Sequence, residues 1–225
     1  MKKTIGVISV LLSTICLGND TPTIAVTGSG TVTGKPDMLS IIASVETTNP
    51  NSEKAISENT NIINNAIKLL KKEGLKDKNI KTENYSLNFR NDYNTKENEM
   101  KYFVKNQIII TSDDLENTGK ILTALNNGGV NNIGEVNFYI ADRKELEDKA
   151  YVLAYEDAKS KAQLIAGIDK FSITPKDINL NFSTPRPLGY VFASNAKMGD
   201  ATIPVTIPNN IDVTASMNVI FYMEK

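Results

Sequence analysis

Residues 38–75 read MLSIIASVETTNPNSEKAISENTNIINNAIKLLKKEGL, and the change of period within them decides the fold. Up to Thr48 the stretch is β-branched and alternating, which predicts a strand over 38–48. From Asn51 onward Ala55, Ile62, Ile63, Ala66, Leu69 and Leu70 recur at helical spacing. Asn51 is a good N-cap. Gly74 is placed to end the helix, and Leu75 to make the apolar contact that follows a glycine cap.

The same alternation of periods continues downstream. Ile80–Tyr93 and Met100–Thr111 read as strands around the polar turn 94–99. Ser112 is a candidate cap for a second helix, with Asp113 and Asp114 in its first turn, Leu115, Leu122 and Leu125 inward, and Gly128-Gly129 as its stop. Ile133–Ala141 is a further strand. The order over 38–141 is therefore β-α-β-β-α-β, the split, ferredoxin-like arrangement.

Both flanks extend this unit. Residues 23–34, TIAVTGSGTVTG, are strand-like, and Lys35-Pro36-Asp37 is read as the turn of a hairpin with 38–48. Asp142 and Glu145 have the spacing of a capping box. They open a third helix carrying Leu146, Ala150, Leu153, Ala154, Ala158, Leu164 and Ile165, closed by Gly167; its alanines predict close packing on a sheet. Ile178–Phe182 is a short strand, and Ile211–Tyr222 a long final one, expected to pair with the first. Between them lies an irregular excursion, 183–210, holding Pro185, Pro187, Gly189, Gly199, Pro204 and Pro208 around apolar Leu188, Tyr190, Val191 and Phe192. No change of composition marks a linker, so residues 23–225 are read as a single α+β domain.

The N-terminus has the order of a secretory signal peptide. Lys2 and Lys3 precede an apolar run, Ile5–Leu17, which spans roughly 20 Å as a helix, short of a ~30 Å bilayer core. Cleavage between Gly18 and Asn19 is expected, defining 1–18 as the signal peptide, with no transmembrane span afterwards. A buried helix and a retained anchor are the alternatives. Cys16 raises a lipoprotein reading, which Ile15 before it and Ser13 upstream disfavour.

Charge and residue inventory exclude most chemistry. The chain has 225 residues, 40% hydrophobic and 23% charged, with a net charge of -1; loss of 1–18 removes Lys2 and Lys3 and leaves 23 basic against 26 acidic groups, a net −3. This is no footprint for nucleic acid. The basic cluster Lys68, Lys71 and Lys72 reads as a solvated helix face. There is no histidine, and the single cysteine lies in the predicted leader, so Ser-His-Asp, Cys-His and His-ligated zinc sites are ruled out. No catalytic residue, cofactor or metal is expected. Gly28-Ser-Gly30-Thr-Val-Thr-Gly34 has the wrong spacing for a dinucleotide fingerprint and leads into no helix; it reads as a strand with a bulge or a close backbone approach. Asp37, Glu46 and Asp92 are the only acids offered for a carboxylate hydrolase, which needs two in one pocket. Tyr85, Phe89, Tyr93, Tyr102 and Phe103 cluster on one predicted hairpin. They read first as strand core and otherwise as a protein-contact surface.

Taken together, several segments resemble the SIMPL-domain family of YggE-like periplasmic and outer-membrane immunogenic proteins, a domain of unknown function. The resemblance rests on Val26-Thr-Gly28-Ser-Gly30-Thr-Val32 with Pro36-Asp37, Ala55, Leu70–Leu75 with Gly74, Ile80-Lys-Thr82, Ala150–Ala154, Asp157-Ala158-Lys-Ser-Lys-Ala162 and Val213–Phe221. One departure is Pro208-Asn209 where the family pattern has Pro-Gly. The resemblance implies an exported envelope protein in the periplasm or on the outer membrane, assembling with itself or an envelope partner, with a link to envelope or oxidative stress. The alternative is a periplasmic small-ligand or peptide binder acting through a strand edge, and a carboxylate hydrolase comes last.

Overall fold

A computed structural model describes residues 21–93, 99–183, 190–191 and 203–225. The expected leader 1–18, with Cys16 and the Gly18–Asn19 junction, lies outside the described residues, as do Leu188, Phe192, Pro185, Pro187, Gly189 and Gly199. Within them the chain runs β1 (Thr23–Gly34), β2 (Met38–Asn49), α1 (Ser52–Lys72), a short 3-10 turn (Asp77–Asn79), β3 (Ile80–Asn91), β4 (Met100–Ser112), α2 (Thr118–Asn127), β5 (Asn132–Tyr139), α3 (Lys144–Ile168), β6 (Ser172–Ser183), β7 (Tyr190–Val191) and β8 (Ile211–Glu224). The class is α+β, with two antiparallel sheets.

The larger sheet has the order β3-β4-β2-β5-β7, and its first four strands are the ferredoxin-like arrangement expected for 38–141. β2 occupies the middle, with Leu39, Ile41, Ala43 and Val45 alternating onto one face and Ser40, Ser44 and Glu46 on the other. One face packs Leu39, Ile41, Ala43 and Val45 with Ile108 and Ile110 under Ile63, Ala66 and Leu70 of α1 and Ile121, Leu122 and Leu125 of α2. Helix α1 begins as read: the Asn51 side chain accepts from the Lys54 N–H at 3.0 Å. It ends as read, with Gly74 at φ +92°, a conformation costly for any residue with a Cβ, and with the Leu75 N–H donating to the Leu70 carbonyl. Asn59, fully buried on this helix, donates to the Val45 and Val104 carbonyls at 2.9 and 3.3 Å and so ties α1 across two strands.

The smaller sheet, β1-β8-β6, carries α3 on one face. β1 and β8 pair over their whole length, from Thr23↔Tyr222 to Gly34↔Ile211, as expected. β8 is therefore an interior strand, and β1 and β6 are the edges. The alanine prediction also holds: Ala150, Ala154, Ala158 and Ala162 are buried against Ala215, Met217, Val219 and Phe221. Gly28 and Gly30 show why. A Cβ on Gly28 would stand 2.0 Å from the Ala154 carbonyl oxygen, and one on Gly30 would stand 2.3 Å from that of Ala150. Helix backbone rests on strand backbone there, and the glycines mark close approach rather than a bulge or phosphate loop.

Five local expectations are corrected. β1 and β2 form no hairpin: β2 is already paired on both edges, to β4 and β5, which leaves no edge for β1. Instead Pro36-Asp37 carries the chain from one sheet to the other. The Asp37 N–H donates to the Tyr139 carbonyl at 3.1 Å and its carboxylate accepts from the Ala141 N–H at 2.8 Å. The second helix starts at Thr118 rather than after Ser112, because a turn closed by Ser112 and Asp114 side chains tucks Leu115 onto the core first. Asp142 and Glu145 make no capping box; Asp142 accepts from the Lys144 N–H, and Glu145 pairs with Lys149. β6 is twice the predicted length, since its start is disguised by Pro175, which an edge strand tolerates at an irregularity in the register. Leu164 and Ile165 are exposed, because the stripe that meets the sheet continues through Ala162 and Ala166.

The β1–α3 contact generates a mutational test. Gly28→Ala or Gly30→Ala is expected to cost about 3 kcal/mol or more, since backbone on both sides must part. Gly167→Ala, in the last turn of α3 where an added Cβ meets nothing within 4 Å, is expected to be neutral or to stabilise by up to about 1 kcal/mol. Urea unfolding of the three variants measures the difference.

Candidate interaction surfaces

β3 is the outer strand of the larger sheet and, among the described residues, pairs only with β4. Its register sets Tyr85, Leu87 and Phe89 opposite Asn106, Val104 and Tyr102, on the face that the helices cover farther in. Helix α1 packs on β2 and β4. The aromatic row is consequently uncovered: Tyr85 is 48% exposed, Phe89 53% and Tyr93 78%. This corrects the reading of these residues as strand core, and the protein-contact reading fits their placement. Phe89 and Tyr102 stack with ring centroids 4.5 Å apart. The opposite face is polar. There the Arg90 guanidinium lies 4.2 Å from the Phe103 ring centre, and Lys105 pairs with Glu46 at 3.0 Å. The apolar face of this strand is left partly open to solvent.

The turn end of this hairpin is pinned by charge. Lys101 Nζ lies 3.1 Å from Asp92 and 3.4 Å from Glu99, and the Asp92 N–H donates to the Glu99 carbonyl. The Asp92 hydrogen bond, with help from Glu99, raises the Lys101 ammonium above its usual 10.5.

The three acids proposed for hydrolysis are not brought together. Asp37 binds the Ala141 N–H at the sheet junction, Glu46 pairs with Lys105 on the outer face of β2, and Asp92 pairs with Lys101 at the turn end of the β3–β4 hairpin. Asp37 and Glu46 sit nine positions apart on one extended segment, roughly 30 Å. Among the described residues no three Asp or Glu side chains group in a way that would hold a metal ion.

The excursion's described ends do dock, as its apolar content predicts. Tyr190–Val191 adds to β5 opposite Val136 and Glu135. Ile203, Val205 and Ile207 pack against the larger core, and the Ile203 N–H donates to Thr123 Oγ1 at 3.3 Å.

The free edge of β1 is guarded by two side chains of α3. Asp157 Oδ2 accepts from the Ser29 N–H at 2.8 Å, and Lys161 Nζ donates to the Thr27 carbonyl at 3.1 Å and to Asp157 at 2.7 Å. The pair supplies the donor and acceptor that a neighbouring strand would supply, and thereby blocks edge-to-edge pairing. An exposed ion pair adds little to stability, so its value lies in closing this part of the edge. The available signal was spacing: Asp157 and Lys161 each precede a buried alanine, Ala158 and Ala162, and so flank the contact stripe on one side.

The fold is thus a two-sheet antiparallel α+β architecture with one guarded edge and one bare hairpin. A sequence match to the SIMPL family, described as a protein of unknown function (DUF541), spans residues 24–221, and the chain belongs to that family. It is 25% identical over 209 residues to the 26 kDa periplasmic immunogenic proteins of Brucella melitensis and Brucella abortus, covering 88% of this chain and 83% of each relative. The signature residues have structural places here. Gly28, Gly30, Ala154, Ala158 and Ala162 form the β1–α3 contact, Pro36 and Asp37 join the sheets, Gly74 ends α1, and Asp157 guards β1. Among the described residues no helix is long and apolar enough to cross a membrane.

The guard carries a pH prediction. The Lys161 ammonium, then the Ser29 N–H, hold the Asp157 carboxyl below its ordinary 3.8. A depressed folded-state value means that the charge stabilises the fold above 3.8 and that this contribution is lost as pH falls through the depressed value. Asp157→Asn is therefore expected to be less stable than the parent at pH 7. The gap between their urea midpoints is expected to close in strong acid, with faster exchange of the Ser29 amide at neutral pH.

Proposed function

We propose that this is an exported, periplasmic protein that acts without catalysis of its own, by homo-oligomeric assembly through the β3–β4 hairpin. The observation that carries the reading is the uncovered row Tyr85, Leu87 and Phe89 beside Tyr93 on an edge strand. Exposed aromatics of this size anchor protein interfaces, and an unpaired strand lets two copies continue one sheet about a two-fold axis. Support for the location comes from the basic-then-apolar N-terminus and from relatives named periplasmic. Support for a non-enzymatic role comes from the lack of histidine and from the separate engagements of Asp37, Glu46 and Asp92. Outer-membrane association and a role in envelope or oxidative stress tolerance rest on the family resemblance.

Multi-angle light scattering on the chain from Asn19 onward tests the assembly. A closed oligomer is expected across the micromolar range. Leu87→Glu combined with Phe89→Glu is expected to weaken it at least about a hundredfold, leaving the circular dichroism spectrum unchanged, because both side chains are already solvent-facing. A parent protein that remains monomeric at the highest concentration would overturn the reading.

A further inference from the structure

The guard on β1 covers only half of that edge. In an antiparallel pair successive residues turn their N–H and C=O to opposite sides. Since Ser29 N–H and the Thr27 carbonyl point outward to α3, the groups of Thr31 and Thr33 point outward as well. The α3 side chains beside this edge recur every four residues: Lys149, Leu153, Asp157 and Lys161. The last two act as strand surrogates. One turn earlier the same row offers an apolar side chain, Leu153, and a lysine already held by Glu145 at 2.6 Å. At that point the surface opens into a groove of about 610 Å³ lined by Thr31, Val32, Val152 and Leu153 together with Glu145, Asp148 and Lys149. The acids among them are both paired, Glu145 with Lys149 and Asp148 with Lys144 at 3.4 Å.

These features specify an occupant. With the nearby charges neutralised in pairs, no ion is selected. The apolar groove takes an apolar side chain, and the outward backbone of Thr31 and Thr33 takes main-chain donors and acceptors. We infer that an extended, uncharged peptide segment of another polypeptide adds as a strand to β1 at Thr31–Thr33 and seats an apolar side chain against Val32, Val152 and Leu153. Asp157 and Lys161 stop the added strand at Ser29, and Pro36 ends the available edge beyond Gly34. The footprint is therefore about four or five residues, which gives weak, reversible binding. This site is separate from the β3–β4 hairpin and stands whether or not the chain assembles there.

The probe is a series of capped pentapeptides in which threonine alternates with valine, leucine or phenylalanine, titrated into the isotopically labelled chain from Asn19 onward. Amide shift changes are expected at Thr31, Thr33 and Leu153 with a dissociation constant below about 1 mM. Val152→Glu, at a position already 58% exposed and so compatible with the fold, is expected to weaken binding at least tenfold. Peptides N-methylated on alternate residues, which keep the side chains but lose main-chain donors, are expected not to bind. The inference is overturned if no peptide of the series shifts Thr31 and Thr33, if the shifts fall on β3 instead, or if N-methylated peptides bind equally well.

Discussion

Contact between the backbone of β1 and the backbone of α3 is the constraint on which the C-terminal half depends. With no side chain at Gly28 or Gly30, the helix settles directly onto the strand, and only alanine fits at the helix positions facing the sheet. Close approach has a second effect. It brings the next side chains around the helix, Asp157 and Lys161, within hydrogen-bond reach of the strand's outer edge. The same small residues thus build the packing and aim the guard, and neither is achieved with the helix a side chain's width farther out.

The ferredoxin-like half is organised differently. Its core is made of branched aliphatic residues from β2, β4, α1 and α2, with helices meeting the sheet at ordinary side-chain separation. One polar group, Asn59, reaches through that layer to strand carbonyls, a bond whose loss would strand buried acceptors. The two halves join at Pro36-Asp37 and at Gly34, where Leu146 and Ile140 fill the space a side chain would need. β3 extends past the helices, which is why alternation that looks like half-buried strand becomes an open apolar face.

Much of the fold was legible from local pattern. The change from period two to period 3.6 located α1 and its neighbouring strands, Asn51 and Gly74 marked the helix ends, and the alanine stripe on α3 announced tight packing on a sheet. Strand partners were less legible. The pairing of β1 with β8 matches expectation, but β1 was also read into a hairpin with β2 that β4 and β5 leave no room for. Pro175 hid half of β6, since a breaker in sequence is harmless on an edge strand. Asp157 and Lys161 looked like common helix surface because their targets, Ser29 and Thr27, lie more than a hundred residues away.

By itself the sequence determined which chemistry is missing, because a histidine-free chain cannot acquire an imidazole by folding, and it determined the succession of strands and helices, because their periodicities are local. Only the tertiary structure decided which faces stay bare. Tyr85, Leu87 and Phe89 have the alternation of a buried row, and whether a helix lies over them depends on how far α1 extends across the sheet, a distance set by packing between segments remote in sequence. For the same reason the groove beside Thr31 exists only once α3 has docked on β1.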